Sequence, residues 1–231
     1  YTWTMVSGAL PAGLSFGSDG TISGKPTEAT TALFSVAVLG DNNLAATNQF
    51  SLTIRPPLDI PLTETFEHGG ASPEGWVQEY VTNAVPWVYR NGGTQSHPAS
   101  AHGGSYNASL SVTTADSAIT RLVTPPINFG PSPRAAQMTF WLFNEDYAGD
   151  QDELRVYYKT SAEAPWTLVQ TFLTSINQWR QETVTLPEPG PIYFIAFEGT
   201  ARYGYGIYVD DVNVFDPTPP LGSVFVSTRT V

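Results

Sequence analysis

The 231 residues contain no cysteine. That excludes a disulfide framework and any thiolate-ligated metal site. Basic residues are scarce, with 10 Lys and Arg against 21 Asp and Glu and a net charge of −11. No basic stripe is available to neutralise phosphates, so the sequence predicts no nucleic-acid partner. The same shortage argues against docking on an anionic membrane surface. No apolar run reaches the length a spanning helix needs, and direct membrane insertion is not expected. Signal-peptide and sorting motifs are also missing, so the chain reads as a mature product or an excised fragment. Lack of cysteine does not exclude export, because many bacterial exported proteins have no disulfides. Finally, no window shows a sustained apolar repeat of 3.6 residues, which removes helices as major elements.

Catalytic signatures are equally sparse. The three histidines are His68, His97 and His102. HPASAH (97–102) holds two of them without the HExxH pattern of a zinc protease, and no GxSxG elbow occurs. GGSY (103–106) reads as a turn. Glu198 with a second carboxylate would imitate a glycosidase pair, but no other required role can be assembled around it. The sequence therefore predicts a protein that is not an enzyme.

What is present is aromatic and turn-rich. Aromatic residues reach 13%, charged residues only 13%, and there are 20 Gly and 19 Pro. This mixture favours short strands and tight turns, and the predicted class is all-β. Residues 1–55 form a first unit. Its strand candidates are YTWTMV, LSF with TIS, ALFSVAVL and NQFSLTI, separated by Gly- and Pro-bearing turns. Phe34, Val36 and Val38, then Phe50, Leu52 and Ile54, alternate with smaller or polar residues, as half-buried antiparallel strands do. Residues 56–62 are a proline-rich linker. Residues 63–216 form a second unit with about ten strand candidates at regular spacing, which predicts a two-sheet sandwich or jelly roll. Residues 217–231 are a proline-rich spacer and a strand-like tail, SVFVSTRTV. In that tail Val224, Val226, Thr228 and Thr230 share one face.

Two resemblances follow from these motifs. YTWTMVSGALPAGLSF and SDGTISGKPTEA, with the paired strands after them, resemble the immunoglobulin-like (He_PIG, cadherin-like) repeats of bacterial surface proteins. Such repeats usually begin with strands upstream of the YxW segment, and here those are missing. The resemblance thus implies an incomplete Ig-like β-sandwich with an open sheet edge. TETFEHGGASPEGW, RLVTPPINF, FWLFNEDYAGDQDELRVYYKT, FIAFEG and GYGIYVDDVNVF, in that order, resemble the MAM, cleaved-adhesin and choice-of-anchor jelly rolls of extracellular proteins. The implied chain is a non-catalytic extracellular or cell-surface protein of structural or adhesive role. Filling of a neighbour's open sheet by the terminal strand would give self-association into a filament. The alternative is a carbohydrate-binding appendage of a secreted hydrolase.

The candidate site residues fall into three groups. In GIYVDDVNVF (206–215) strand alternation should turn one of Asp210 and Asp211 toward the buried side, where a lone carboxylate is costly. In the jelly rolls that the second unit resembles, a glutamate of the first strand and an aspartate of the last commonly share a structural cation, usually calcium. The matching residues are Glu67 and the Asp210–Asp211 pair, and oxygen ligands suit calcium. NEDYAGDQDE (144–153) reads as a solvated acidic loop, with Asp146, Asp150 and Asp152 as a possible second calcium site; it lacks EF-hand spacing. Trp87, Tyr147, Tyr203 and Tyr205 lie near predicted loops and are candidates for stacking on the sugars of a polysaccharide, or else they pack in the sandwich. Asn107-Ala108-Ser109 is a glycosylation sequon.

Overall fold

The computed structural model describes residues 1–40, 44–113, 117–131 and 135–218. Val224, Val226, Thr228 and Thr230 of the tail lie outside the described residues. Among the described residues every regular element is a strand, in keeping with the missing helical periodicity. Contacts divide the chain into two compact units, Tyr1–Pro56 and Pro57–Val231.

The first unit contains β1 (Thr2–Gly8), β2 (Leu14–Phe16), β3 (Ile22–Gly24), β4 (Thr30–Leu39) and β5 (Ala45–Ile54). β4 is the centre of a three-stranded antiparallel sheet, with β1 on one side and β5 on the other, while β2 and β3 form a small hairpin. The alternation read from ALFSVAVL is realised: Phe34 and Val36 are buried. On β5 it is weaker, since Phe50 stacks on Phe34 at 5.9 Å yet remains exposed.

The second unit carries β6 (Leu58–Asp59), β7 (Leu62–Glu64), β8 (Val77–Thr82), β9 (Val88–Arg90), β10 (Asn107–Leu110), β11 (Ala118–Val123) and β12 (Ile127–Asn128). It continues with β13 (Gln137–Asn144), β14 (Glu153–Lys159), β15 (Thr167–Phe172), β16 (Ile176–Thr185), β17 (Phe194–Ala201) and β18 (Ile207–Phe215). One sheet has the order β16-β13-β18-β10-β9, with β7 also paired to β18; the other has the order β15-β14-β17-β11-β8. Their inner faces meet in one core that includes Leu110, Leu122, Met138, Phe140, Leu142, Val156, Phe197 and Val209. Aliphatic and aromatic side chains at every second position build this sandwich. Leu58–Asp59, inside the proline-rich stretch, pairs in parallel with Ile127–Asn128 of the same unit. β8 has no counterpart among the strands expected from sequence, because VQEYVT interrupts its apolar residues with Gln78 and Glu79.

β18 breaks regular alternation. Ile207 and Val209 belong to the core before the aspartates, and Val212 and Val214 belong to it after them. Moving from odd to even positions requires one extra residue. The pairing supplies it: Trp141 faces Asp210 and Thr139 faces Asn213, so Phe140 alone opposes both Asp211 and Val212. Asp211 takes φ +46°, the left-handed region that such a bulge uses and that Asp tolerates better than most residues. The expectation that one aspartate turns to a buried side holds for Asp210, but that side is not the core between the sheets. Asp210 leaves the strand on the outer face, like Tyr208 two residues earlier. Both are nonetheless fully buried, at 0% exposure, because other chain covers that face.

Candidate functional site

The cover is the segment 91–106, which joins β9 to β10 and folds over the outer face of the larger sheet. Backbone N–H groups of His102 and Gly103 donate to Asp210 Oδ2 at 2.9 and 3.2 Å. The Asp211 N–H donates to Asp210 Oδ1 at 2.8 Å. Thr94 N–H donates to the Tyr208 hydroxyl at 2.8 Å. The His102 ring stacks on Trp141 at 3.6 Å, and its Nδ1 meets Asp211 Oδ2 at 2.6 Å. Burial, together with the adjacent Asp211 charge, pushes the Asp210 carboxyl up to about 6 against the pull of the three N–H donors.

Glu67 approaches the same segment from the other side. It lies in the turn after β7 rather than in the strand, because Phe66 adopts φ +58° and ends the extended run. Its Oε1 accepts the N–H groups of Ser105 and Tyr106, both at 2.7 Å. The two glycines between these anchor points let both carboxylates keep their positions. A Cβ on Gly103 would come within 2.8 Å of Asp211 Oδ2, and one on Gly104 within 2.4 Å of Glu67 Oε1. Glu67, Asp210 and Asp211 thus border one short loop, 102–106. All-oxygen donors fit a hard cation in kind. Among the described residues no three Asp, Glu or His side chains form a metal-holding group, so backbone carbonyls would have to complete any shell.

The three carboxylates of the acidic loop do not gather. Asp146 accepts the N–H of Gly149 within its own turn, at 3.3 Å. Asp150 takes part in a backbone bridge with Tyr147, N–H to carbonyl in both directions at 3.0 and 2.9 Å. Asp152 turns inward at 0% exposure. Its Oδ1 accepts the N–H of Arg202 and of Gly204, the latter at 3.2 Å, and its Oδ2 accepts that of Gly206 at 2.9 Å. Burial raises its pKa, and those N–H donors with the Arg202 charge oppose the rise. The role visible for Asp152 is to shape the loop 202–206.

That loop carries the aromatic candidates. Tyr147, at the tip of the β13–β14 hairpin, meets Tyr203 at 5.8 Å and Tyr205 at 5.3 Å, both edge to face. The Tyr205 N–H donates to the Glu145 carbonyl at 3.2 Å, tying the two loops together. Tyr147 and Tyr203 are each 39% exposed. With Thr94, Gln95, Val112, Thr113 and Gly204 these tyrosines line a recess of about 90 Å³. Trp87 is not part of it. It is 1% exposed, and its indole N–H donates to the Thr120 carbonyl at 3.0 Å inside the core. Its place in sugar stacking is corrected: a central position between the sheets buries the largest side chain available. The Asn107 sequon is likewise closed off, since Asn107 is fully buried in β10.

Sequence reasoning missed the neighbours that complete this end of the sandwich. The His97 ring stacks on Tyr205 at 3.9 Å, and its Nδ1 lies 2.6 Å from Glu145 Oε2. Trp179 donates its indole N–H to the Ser100 carbonyl at 3.0 Å and packs against Phe143 at 6.0 Å. The signal available was modest: HPASAH and NQW are polar-aromatic stretches in predicted loops or strand starts.

Two antiparallel sheets with a Greek-key strand order, carrying their polar and aromatic clusters on connecting loops, define the second unit as a jelly-roll β-sandwich. The chain belongs to the MAM domain family (meprin/A5/mu), whose model matches residues 65–219. A second model, the Ig-domain family He_PIG, matches residues 1–55. Among solved structures, the K1 cleaved adhesin domain of Lys-gingipain from Porphyromonas gingivalis W83 has a TM-score of 0.53 at 19% identity, covering 68% of this chain and 98% of that one. The K3 cleaved adhesin domain of the same protein gives 0.51 at 20% identity, covering 67% and 96%. At such identity the likeness is one of fold. No curated protein sequence matches the chain.

Proposed function

We propose that this chain is a non-catalytic adhesive module of the cell exterior, and that its second unit holds polysaccharide at the Tyr147–Tyr203–Tyr205 cluster. The observation that carries the reading is the meeting of three tyrosines from two loops, two of them well exposed, beside hydroxyl and amide groups of Thr94, Gln95 and Thr113. Aromatic faces that stay in water at a rigid loop end gain by covering the apolar face of a sugar ring, while the polar neighbours satisfy its hydroxyls. Membership of an extracellular domain family supports the location. No described helix is long and apolar enough to cross a membrane. Among the described residues no serine or threonine hydroxyl is hydrogen-bonded to His97 or His102, the two histidines paired with Glu145 and Asp211, which supports a non-catalytic role. Affinity electrophoresis through gels containing soluble neutral polysaccharides tests the reading. The native chain should be retarded in at least one, and Tyr203→Ala should run freely. Unretarded migration of the native chain in every gel refutes it.

Calcium is the cation such a module would carry. Glu67 with Asp210 or Asp211 would hold it, and it would supply fixed positive charge between the turn after β7 and the last strand.

A second reading, assembly by strand addition, draws support from the first unit. Its sheet has β1 and β5 as edges, and Phe34 and Val36 are the buried large apolar side chains among its described residues. An open edge of this kind accepts an added strand, and the sequence alternation of Val224, Val226, Thr228 and Thr230 suits the task. Light scattering decides it: deletion of residues 222–231 should convert assemblies to monomers, and unchanged assembly refutes the idea.

A further inference from the structure

A second recess adjoins the first. It has a volume of about 470 Å³ and is lined by Ser96, His97, Ser100, Glu145, Asn177 and Trp179, among others. The partition between the two recesses is the His97–Tyr205 stack, with His97 facing the second recess and Tyr205 the first. We propose that both recesses form one extended site, in which a neutral polysaccharide chain crosses the His97–Tyr205 partition and lies against Trp179. This inference rests on the tyrosine-cluster reading and names the further part of the ligand's path.

Four features support it. Trp179 is held in place from several sides: its N–H bonds the Ser100 carbonyl at 3.0 Å, Phe143 meets it at 6.0 Å, and His102 meets it edge to face at 6.0 Å. An indole already fixed loses little freedom when a sugar stacks on it. Asn177 and Gln178 are exposed and supply paired amide donors and acceptors, which match the mixed donor–acceptor character of sugar hydroxyls. His97 is oriented by Glu145 at 2.6 Å; with its proton on Nδ1 toward that carboxylate, Nε2 is left as an acceptor. Lastly, His97 and Glu145 are the acid–base groups of the two linings apart from the tyrosine phenols. Among the described residues no Arg or Lys lines either recess, so an anionic sugar would meet Glu145 without a counter-charge. The ligand class is therefore neutral and hydroxyl-rich, and it is longer than one recess can hold.

The test is a ladder of neutral gluco-, manno- and xylo-oligosaccharides, from disaccharide to hexasaccharide, titrated calorimetrically against the native chain and two variants. Affinity of the native chain should rise with length and then level off once both recesses are filled. Trp179→Ala should leave the shortest binders unchanged and weaken the longest by roughly tenfold, the size of one stacking contact. N177A/Q178A, at two exposed positions that the fold does not need, should weaken the longest in the same selective way. Tyr203→Ala should lower affinity at every length. If Tyr203→Ala abolishes binding while both recess variants keep the native length dependence, the extended site is wrong and the tyrosine site stands. If the native chain binds no member of the ladder, both are wrong.

Discussion

Asp210 offers the sharpest quantitative test. It is fully buried, and burial first, with the Asp211 charge in addition, pushes its carboxyl to about 6 from the ordinary 3.8. The folded-state value thus lies above the unfolded one. The folded chain binds this proton more tightly, so the stability linked to it is fully present below about 3.8 and is lost as pH rises through about 6. A rise of this size corresponds to about 3 kcal/mol at most, since each factor of ten is worth about 1.4 kcal/mol. Urea unfolding followed by tryptophan fluorescence, in chelator, should show stability falling between these two pH values. The second unit dominates this signal, as it contains every tryptophan except Trp3. Asp210→Asn removes this group and should flatten the profile by its share, leaving the part that the likewise raised Asp152 carboxyl contributes. Excess calcium should also flatten or invert the profile, because a bound cation favours the carboxylate. A native profile in chelator as flat as that of Asp210→Asn would refute the argument, for it would mean that the three N–H donors already outweigh burial.

Further outcomes follow from the same geometry. Asp152→Ala leaves the buried N–H groups of Gly204 and Gly206, and that of Arg202, without their acceptor, so stability should fall by about 3 kcal/mol, at roughly 1 kcal/mol or more for each. Polysaccharide affinity should fall with it, because the loop of Tyr203 and Tyr205 loses its anchor; a stability change below about 1 kcal/mol would show that water replaces the carboxylate freely. Chelation should lower the melting temperature of the native chain by several degrees, since a ligand bound to the folded state alone stabilises it by mass action. Glu67→Ala should abolish that response, and an identical response in the variant would exclude Glu67 as a ligand. Gly104→Ala should destabilise the loop 102–106 in calcium and in chelator alike, given φ +59° and a Cβ 2.4 Å from Glu67 Oε1; thermal unfolding that matches the native chain would contradict the packing described there.

The all-β class and the two-unit division were legible in the sequence because they depend on local quantities. Period-two alternation, turn residues and the absence of a helical repeat act within a few residues of each other. The bulge in β18 was not read from the sequence, because regular alternation overlooks it, although its trace is there: Ile207 and Val209 at odd positions, followed by Val212 and Val214 at even ones, demand an extra residue between. Read that way, the sequence already says that the aspartates flank a change of register. The tertiary structure alone decided what buries Asp210, because the cover comes from the segment 91–106, more than a hundred residues earlier in the chain. The same holds for the loop end. Tyr147, Tyr203 and Tyr205 look no different in sequence from Trp87, yet they meet at the surface while Trp87 fills the core. Asp152 looks like part of a solvated acidic run, but the backbone N–H groups of Arg202, Gly204 and Gly206 fold onto it. Local pattern fixes which residues form strands, because backbone geometry repeats over two residues. Which loops meet at the end of a sandwich depends on sheet order and register, and those are set by packing between residues far apart along the chain.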